Sequence, residues 1–237
     1  MSLAIINSAF PEKAIEQLNK YGHKTVLLPP SVALPHPMST HPDMLVFIGF
    51  GALIVHRDYY EENRDIVDAI AKHGDCRLIL SDEEIGKEYP RDAIFNAAVV
   101  GNVLLCNTKF ISKYILELAK KNGASIIHVN QGYTKCSTLI VGENDIITAD
   151  RGIHRAARET GINSLLIGAG NVSLDPYEYG FIGGATGTFK NKVFFCGDLG
   201  EHPDKQKIVE FISACGKECV FLPFERLSDT GSIIFIK

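Results

Sequence analysis

The sequence predicts an α/β fold in which five ββαβ repeats close into a pseudo-fivefold propeller, the last strand completing the first repeat. Three observations carry this expectation. Helix-like stretches that end in glycine recur at intervals of about 40 to 55 residues. Two apolar runs precede each stretch and one follows it. The chain then ends on an apolar run, GSIIFIK, which matches the run missing ahead of the first repeat.

Taken in order, the helical stretches are EKAIEQLNKYG, ENRDIVDAIAKHG, KYILELAKKNG, HRAARETG and KQKIVEFISACG, closing at Gly22, Gly74, Gly123, Gly161 and Gly216. Apolar residues three and four apart, such as Ile66, Val67, Ile70 and Ala71, give each an apolar face. The closing glycine is the expected left-handed residue just past a helix end. The following strands are HKTVLLP, DCRLIL, ASIIHV, INSLLIG and KECVFLP, and the preceding ones AIINS, ALIVHRD, NVLLCNT, DIITADR and VFFCGDL. Ahead of the last four lie MLVFIG, AIFNAAVV, STLIVG and FIGGATGTF, separated from them by glycine and asparagine turn signals. A doubly wound sheet also alternates strands with helices, but it leaves the second apolar run of each unit unexplained. Closure predicts one domain over residues 1–237, with residues 231–237 pairing beside Ala4 to Ser8, so that few sheet edges stay open.

Composition narrows the function. The chain has 237 residues, 46% of them hydrophobic, and 24 Lys and Arg against 28 Asp and Glu, a net charge of −4. It has no basic run, so no nucleic-acid partner is expected. It has no apolar stretch long enough to span a bilayer and no basic leader before an apolar one, so a soluble, cytoplasmic chain without a membrane partner is expected. The six cysteines, Cys76, Cys106, Cys136, Cys196, Cys215 and Cys219, lie mostly in apolar runs and read as reduced thiols. Cys215 and Cys219 lack a second pair at zinc-site spacing, so no metal is expected. The Gly168–Asn171 segment GAGN lacks the third glycine and the helix of a phosphate loop, and no cofactor is expected.

The repeat architecture resembles the pentein fold of the amidinotransferases, the arginine and agmatine deiminases, the dimethylarginine hydrolases and the ribosome anti-association factor. The segments GYTKCS, Gly132 to Ser137, and GFIGGATG, Gly180 to Gly187, are similar to those of a bacterial branch related to the amidinotransferase and deiminase group. In a closed array, equivalent positions converge on the axis. Aligning the units on their second strands and stepping back about ten residues reaches Asp43, Asp92, Lys135 and Ile182, with Asp229 ahead of the closing strand. Either these are solvated turn residues, or they line a central pocket, pairing with one another or with a polar ligand. His41 and Cys136 stand next to two of them. Gly183 and Gly184 would lie near the axis, where their backbone N–H groups are free to hold an anion.

The resemblance implies a Cys nucleophile that attacks a guanidinium carbon while carboxylates hold the N–H groups and a His moves protons. The triad of those enzymes does not transfer to this chain; by the same logic the axial positions instead offer Cys136, Lys135 and His41 for catalysis and Asp43, Asp92, Asp229, Gly183 and Gly184 for binding of a small guanidinium- or amine-bearing molecule. Cys136 is equally readable as a buried small hydrophobe, and His128 as a strand histidine. Lys135 or a His would lower the pKa of the Cys136 thiol. The departures are clear. Asp92-Ala93-Ile94 stands where agmatine-deiminase-like enzymes have an acid followed by two glycines. Gly132-Tyr133-Thr134-Lys135 replaces their Gly-His-x-Asp, and Gly231-Ser232 falls where their Cys lies. Two functions follow: a thiol-dependent hydrolase or transferase, or a non-catalytic binding protein on the same scaffold. Arg151, His154, Arg155 and Arg158 read as solvated helix surface.

Overall fold

The computed structural model of the chain describes residues 1–237. Its first unit runs β1 (Ser2–Asn7), α1 (Glu12–Lys20) and β2 (His23–Leu28). The second has α2 (Pro42–Leu45), β3 (Val46–Gly49), β4 (Ala52–His56), α3 (Arg57–Glu62), α4 (Arg64–His73) and β5 (Arg77–Ser81). The third comprises β6 (Ala98–Val100), β7 (Val103–Cys106), α5 (Lys113–Lys121) and β8 (Ser125–His128). The fourth is β9 (Thr138–Gly142), β10 (Asp145–Thr148), α6 (Arg151–Glu159) and β11 (Asn163–Leu166). The fifth is β12 (Thr186–Phe189), β13 (Lys192–Phe195), α7 (Lys205–Ala214) and β14 (Glu218–Phe221), and β15 (Ile234–Ile236) ends the chain.

Every unit is a three-stranded sheet whose middle strand pairs antiparallel with the first strand and parallel with the third. The first unit takes its missing strand from the C-terminus: β15 pairs antiparallel with β1, Leu3 opposite Ile236 and Ile5 opposite Ile234. The parallel step crosses over through the helix, as parallel pairing requires.

The ring closes through five apolar seams, one between each pair of neighbouring units. Successive side chains of a strand point to opposite faces. On β1, Leu3 and Ile5 enter the seam with the second unit, while Ala4 and Ile6 enter the seam with the fifth. On β4, Leu53 and Val55 face the first unit and Ala52 and Ile54 the third. Both faces of each middle strand are therefore covered, which is why these strands read as continuous apolar runs rather than alternating ones. A charge at the closing strand breaks two things at once. Ile236→Asp is expected to cost about 3 kcal/mol or more and to lower the thermal midpoint by roughly 10 °C; a midpoint within 2 °C of the parent would show that the ring does not depend on β15.

Four of the five helix-ending glycines have positive φ, at Gly22, Gly123, Gly161 and Gly216, but Gly74 does not. There Asp75 takes the left-handed position, with φ of 47°. Gly74 serves close packing instead, since a Cβ on it would lie 2.5 Å from Ile236 Cγ2. The GFIGGATGTF segment is strand only from Thr186, and AIFNAAVV only from Ala98; the residues before each form turns that reach the axis. No helix is long and apolar enough to cross a membrane. All six cysteines are free, with Cys106, Cys136 and Cys196 buried.

Candidate active site

The residue two positions ahead of each first strand stands in an axial ring: Met44, Asn96, Cys136, Gly184 and Ser232. These residues touch in sequence around it. Asn96 Nδ2 donates to Met44 Sδ at 3.3 Å and to Cys136 Sγ at 3.2 Å. Its Oδ1 accepts the backbone N–H of Lys135 at 2.7 Å and of Cys136 at 3.1 Å, so one amide fixes the turn that presents the thiol. Gly184 N–H donates to the Cys136 carbonyl at 2.8 Å, and Ser232 N–H to the Gly184 carbonyl at 2.7 Å.

Cys136 Sγ faces both oxygens of Asp43 at 3.1 Å. Asp43 Oδ2 also accepts the Ser232 hydroxyl at 2.6 Å, and Ser232 Oγ in turn accepts from Lys135 Nζ at 2.8 Å. A single hydrogen-bonded line thus runs Lys135, Ser232, Asp43, Cys136. Asp229 brings a carboxylate oxygen within 4.8 Å of the thiol, with Oδ2 accepting Phe181 N–H at 2.8 Å and Oδ1 accepting Gly231 N–H at 3.0 Å. His41 Nδ1 is 3.9 Å from Asp229 Oδ1, too far for a hydrogen bond, and has no other partner although it is buried.

Burial governs the electrostatics. It pushes the Asp229 carboxyl up to about 6, against the opposing pull of the two backbone N–H groups and Lys135. It lowers the His41 imidazole, which is therefore neutral at pH 7. It also pushes the Cys136 thiol well above its ordinary value, and the charges of Asp43 and Asp229 push the same way. The expected activation of the thiol by Lys135 or a His is thus overturned. Lys135 bonds to Ser232 and not to the sulfur, while burial and two carboxylates all disfavour the thiolate, so the resting thiol is protonated.

His41, Cys136 and Asp229 form the polar floor of a cavity of about 260 Å³, walled by Met44, Tyr133 and Phe181. Tyr177, Glu178 and Tyr179 stand exposed at its mouth. The donor atoms of His41, Cys136 and Asp229 lie within 4.8 Å of one another, near enough for a metal ion. Asp43 and Lys135 adjoin a smaller cleft further along the axis.

Of the residues singled out in the sequence, His41, Asp43, Lys135, Cys136 and Asp229 come together. Asp43, Asp92 and Asp229 are all buried rather than solvated. Asp92 stands behind the cavity wall, where its Oδ2 accepts the Tyr133 hydroxyl at 2.7 Å; it orients that ring. Gly183 and Gly184 do reach the axis, but Gly184 has no free N–H to offer an anion. The Gly184 N–H is taken by Cys136, and the missing side chain makes room for the Asp229 carboxylate, which a Cβ there would strike. Gly184→Ala is accordingly expected to destabilise by about 3 kcal/mol or more, read as a fall in the denaturant midpoint; an unchanged midpoint would mean that Asp229 moves aside freely. His128 is a strand histidine bonded to Thr108, and Arg151, Arg155 and Arg158 lie exposed on α6. Asn96 and the aromatic wall escape the sequence reading, and Ser232 enters it only as the position where the resembling enzymes carry their Cys.

A family model described as "Family of unknown function (DUF6873)" matches residues 5–234. The chain belongs to that family. None of the curated proteins matches this DUF6873 member. Among solved structures, it is similar to dimethylarginine dimethylaminohydrolase, an adduct with 4-chloro-2-hydroxymethylpyridine, at 15% identity and a TM-score of 0.57, over 93% of this chain and 91% of that one. It is also similar to SxtG, an amidinotransferase from Microseira wollei, at 11% identity and a TM-score of 0.57, over 89% and 73% of the two chains. Agmatine deiminase from C. jejuni aligns at 10% identity and a TM-score of 0.53, over 93% and 86%. At these identities the likeness is one of fold, and the fold of the DUF6873 member is the pentein propeller.

Proposed function

We propose that the protein is a thiol-dependent hydrolase or transferase that binds a small guanidinium- or amine-bearing molecule in the axial cavity, with Cys136 as nucleophile. The observation that carries this reading is a lone thiol on a cavity floor beside two buried carboxylates, Asp43 and Asp229. Buried carboxylates with one ammonium between them call for a cation. Asp229 offers its charge to the N–H groups of a planar cation, and Tyr133 and Phe181 offer ring faces.

The chemistry then follows from the hydrogen bonds. Cys136 sulfur bonds to the amidine carbon as its proton passes to Asp43. The carbon–nitrogen bond to the leaving amine breaks, and the amine takes that proton. Water, or an acceptor amine, next adds to the carbon bound to sulfur, guided by the free Nδ1 of His41. The carbon–sulfur bond breaks and the sulfur regains a proton. A bound cation also supplies the positive charge that the resting thiol lacks, so nucleophile and substrate activate each other.

Two outcomes test this. Chloroacetamidine, a cationic alkylating agent, is expected to modify Cys136 alone among the six cysteines, at least tenfold faster than neutral chloroacetamide, and a guanidine should protect it. Equal labelling of several cysteines would end the proposal, and tight cation binding without turnover would leave the binding-protein reading, which the protonated thiol favours. Affinity for the cation is also expected to fall about tenfold per pH unit below pH 6, as Asp229 takes up a proton. Titration calorimetry between pH 4.5 and 8 measures it; a flat profile would remove Asp229 from the site.

A further inference from the structure

Four buried side-chain atoms lack a hydrogen-bond partner: His41 Nδ1, Asp92 Oδ1, Ser137 Oγ and His202 Nε2. Two of the residues that carry them line one cavity other than that of the active site. Ser137 and His202 both line a second cavity, of about 100 Å³, rimmed by the Gly168–Asn171 segment. Tyr179 and Phe181 are common to its wall and that of the axial cavity. Unpartnered buried polar groups are costly and rare, so two on one cavity point to something that satisfies them.

The chemistry of the two atoms defines what that is. The backbone N–H of Asp204 donates to His202 Nδ1 at 3.0 Å. That bond assigns the proton of the neutral ring to Nε2, making the orphan a donor. His202 is neutral because burial lowers its pKa. Ser137 has its backbone N–H on the Tyr133 carbonyl and its own carbonyl on the Thr148 hydroxyl, leaving the side-chain O–H uncommitted. At the rim, the backbone N–H groups of Ala169, Gly170 and Asn171 take no partner within the chain. The rim residues Gly168 to Asn171 are exposed, so their N–H groups can turn to solvent, whereas the two buried orphans, His202 Nε2–H and the Ser137 hydroxyl, are both able to donate. The single carboxylate in the wall, Asp150, is already engaged: Oδ1 accepts Ile153 N–H at 2.8 Å and Oδ2 accepts Gln131 Nε2 at 3.3 Å. Its charge still disfavours a multiply charged ion such as phosphate, while one negative charge shared over two oxygens suits the donor pair. At about 100 Å³ the cavity is smaller than one of roughly 150 Å³ that admits benzene, a size that suits formate or acetate rather than a ring.

We propose that this cavity is a binding site for a small monocarboxylate, with His202 Nε2–H donating to one oxygen and the Ser137 hydroxyl to the other. The site is separate from the proposed chemistry at Cys136, and an occupant buttresses the Tyr179 and Phe181 wall from behind.

The test does not use turnover, so its failure and that of the active-site proposal are distinguishable. Sodium formate and sodium acetate, each against sodium chloride at equal ionic strength, are expected to raise the thermal midpoint by about 3–6 °C at ten times the dissociation constant. Sodium benzoate should have no effect. In nitrogen-15 histidine spectra the His202 Nε2–H resonance should shift with the same titration. Ser137→Ala and His202→Phe should each remove both responses, and His202→Gln, which keeps an N–H donor, should retain the midpoint shift. No response to formate or acetate beyond that to chloride, or a response undiminished in Ser137→Ala and His202→Phe, would leave a cavity filled by ordered water only and overturn the proposal.

Discussion

Cys136→Ser is expected to reduce turnover of a guanidino or amidino substrate by about four orders of magnitude or more while leaving the fold intact. The substitution is nearly isosteric at a fully buried position, and a hydroxyl keeps Asp43 and Asn96 as partners. Folding therefore has little reason to change, and the thermal midpoint should stay within about 3 °C of the parent. The chemistry has every reason to change: a serine hydroxyl is a far weaker nucleophile, and no imidazole lies within hydrogen-bonding distance of the sulfur to activate one in its place. Asp43→Asn separates the two roles of the carboxylate. It leaves a hydrogen-bond acceptor beside the thiol but nothing that can take its proton, with an expected loss of 10²–10³ in turnover. Amine or ammonia release measures both. Full activity in Cys136→Ser would assign the reaction to another group. A Cys136→Ser protein that still binds the cation, and an Asp43→Asn protein that binds it more weakly, would separate recognition from catalysis.

The architecture is legible in the sequence because its cause is local. A middle strand buried on both faces has to be apolar throughout, as in VFFCG and ALIVH, and a helix must cover each seam. Those two demands repeat five times and survive without any shared signature string. The closing strand is legible for the same reason: an apolar run after the last helix has to be paired. Short helices such as α2 and α3 are not, because four to six residues carry too little periodicity to show.

The site is legible only in part. Alignment on the second strands finds Asp43, Lys135 and Asp229 but yields Asp92 where the ring holds Asn96. The hairpins ahead of those strands differ in length, from three residues in β6 to five in β9, so a fixed step back slips by several positions. Counting from the first strands places Asn96, Cys136 and Ser232 in one ring. It also makes Cys136 and Ser232 pseudo-symmetric equivalents around the same axis. The wall formed by Tyr177, Tyr179 and Phe181 lies in an aperiodic segment between β11 and β12, and nothing in its pattern announces that it folds over the cavity.

Lys135→Met is expected to destabilise the ligand-free protein by about 1–3 kcal/mol at pH 8, and by much less at pH 5. Lys135 is the one ammonium bonded into the buried acidic cluster: it reaches Asp43 through Ser232 and lowers the Asp229 pKa across space. In the parent, Asp229 titrates at about 6 when folded against an ordinary value of 3.8. A raised folded pKa means that stability is fullest below the ordinary value and falls as pH rises through the folded one. Without Lys135 the Asp229 pKa rises further, so the window of falling stability moves upward and deepens. Protonation at low pH removes the charge that Lys135 would have offset, which is why the loss should shrink there. A guanidinium ligand should do the same at pH 8 by standing in for the missing cation, raising the midpoint of Lys135→Met more than that of the parent. Ser232→Ala cuts the bonded route to Asp43 while leaving the ammonium near Asp229, so its loss should be smaller and less dependent on pH. Thermal midpoints of the three proteins at pH 5 and pH 8, with and without guanidinium, decide the matter. An equal loss in Lys135→Met at both pH values would mean that the side chain only fills space, and the charge balance of the axial cluster would need another source.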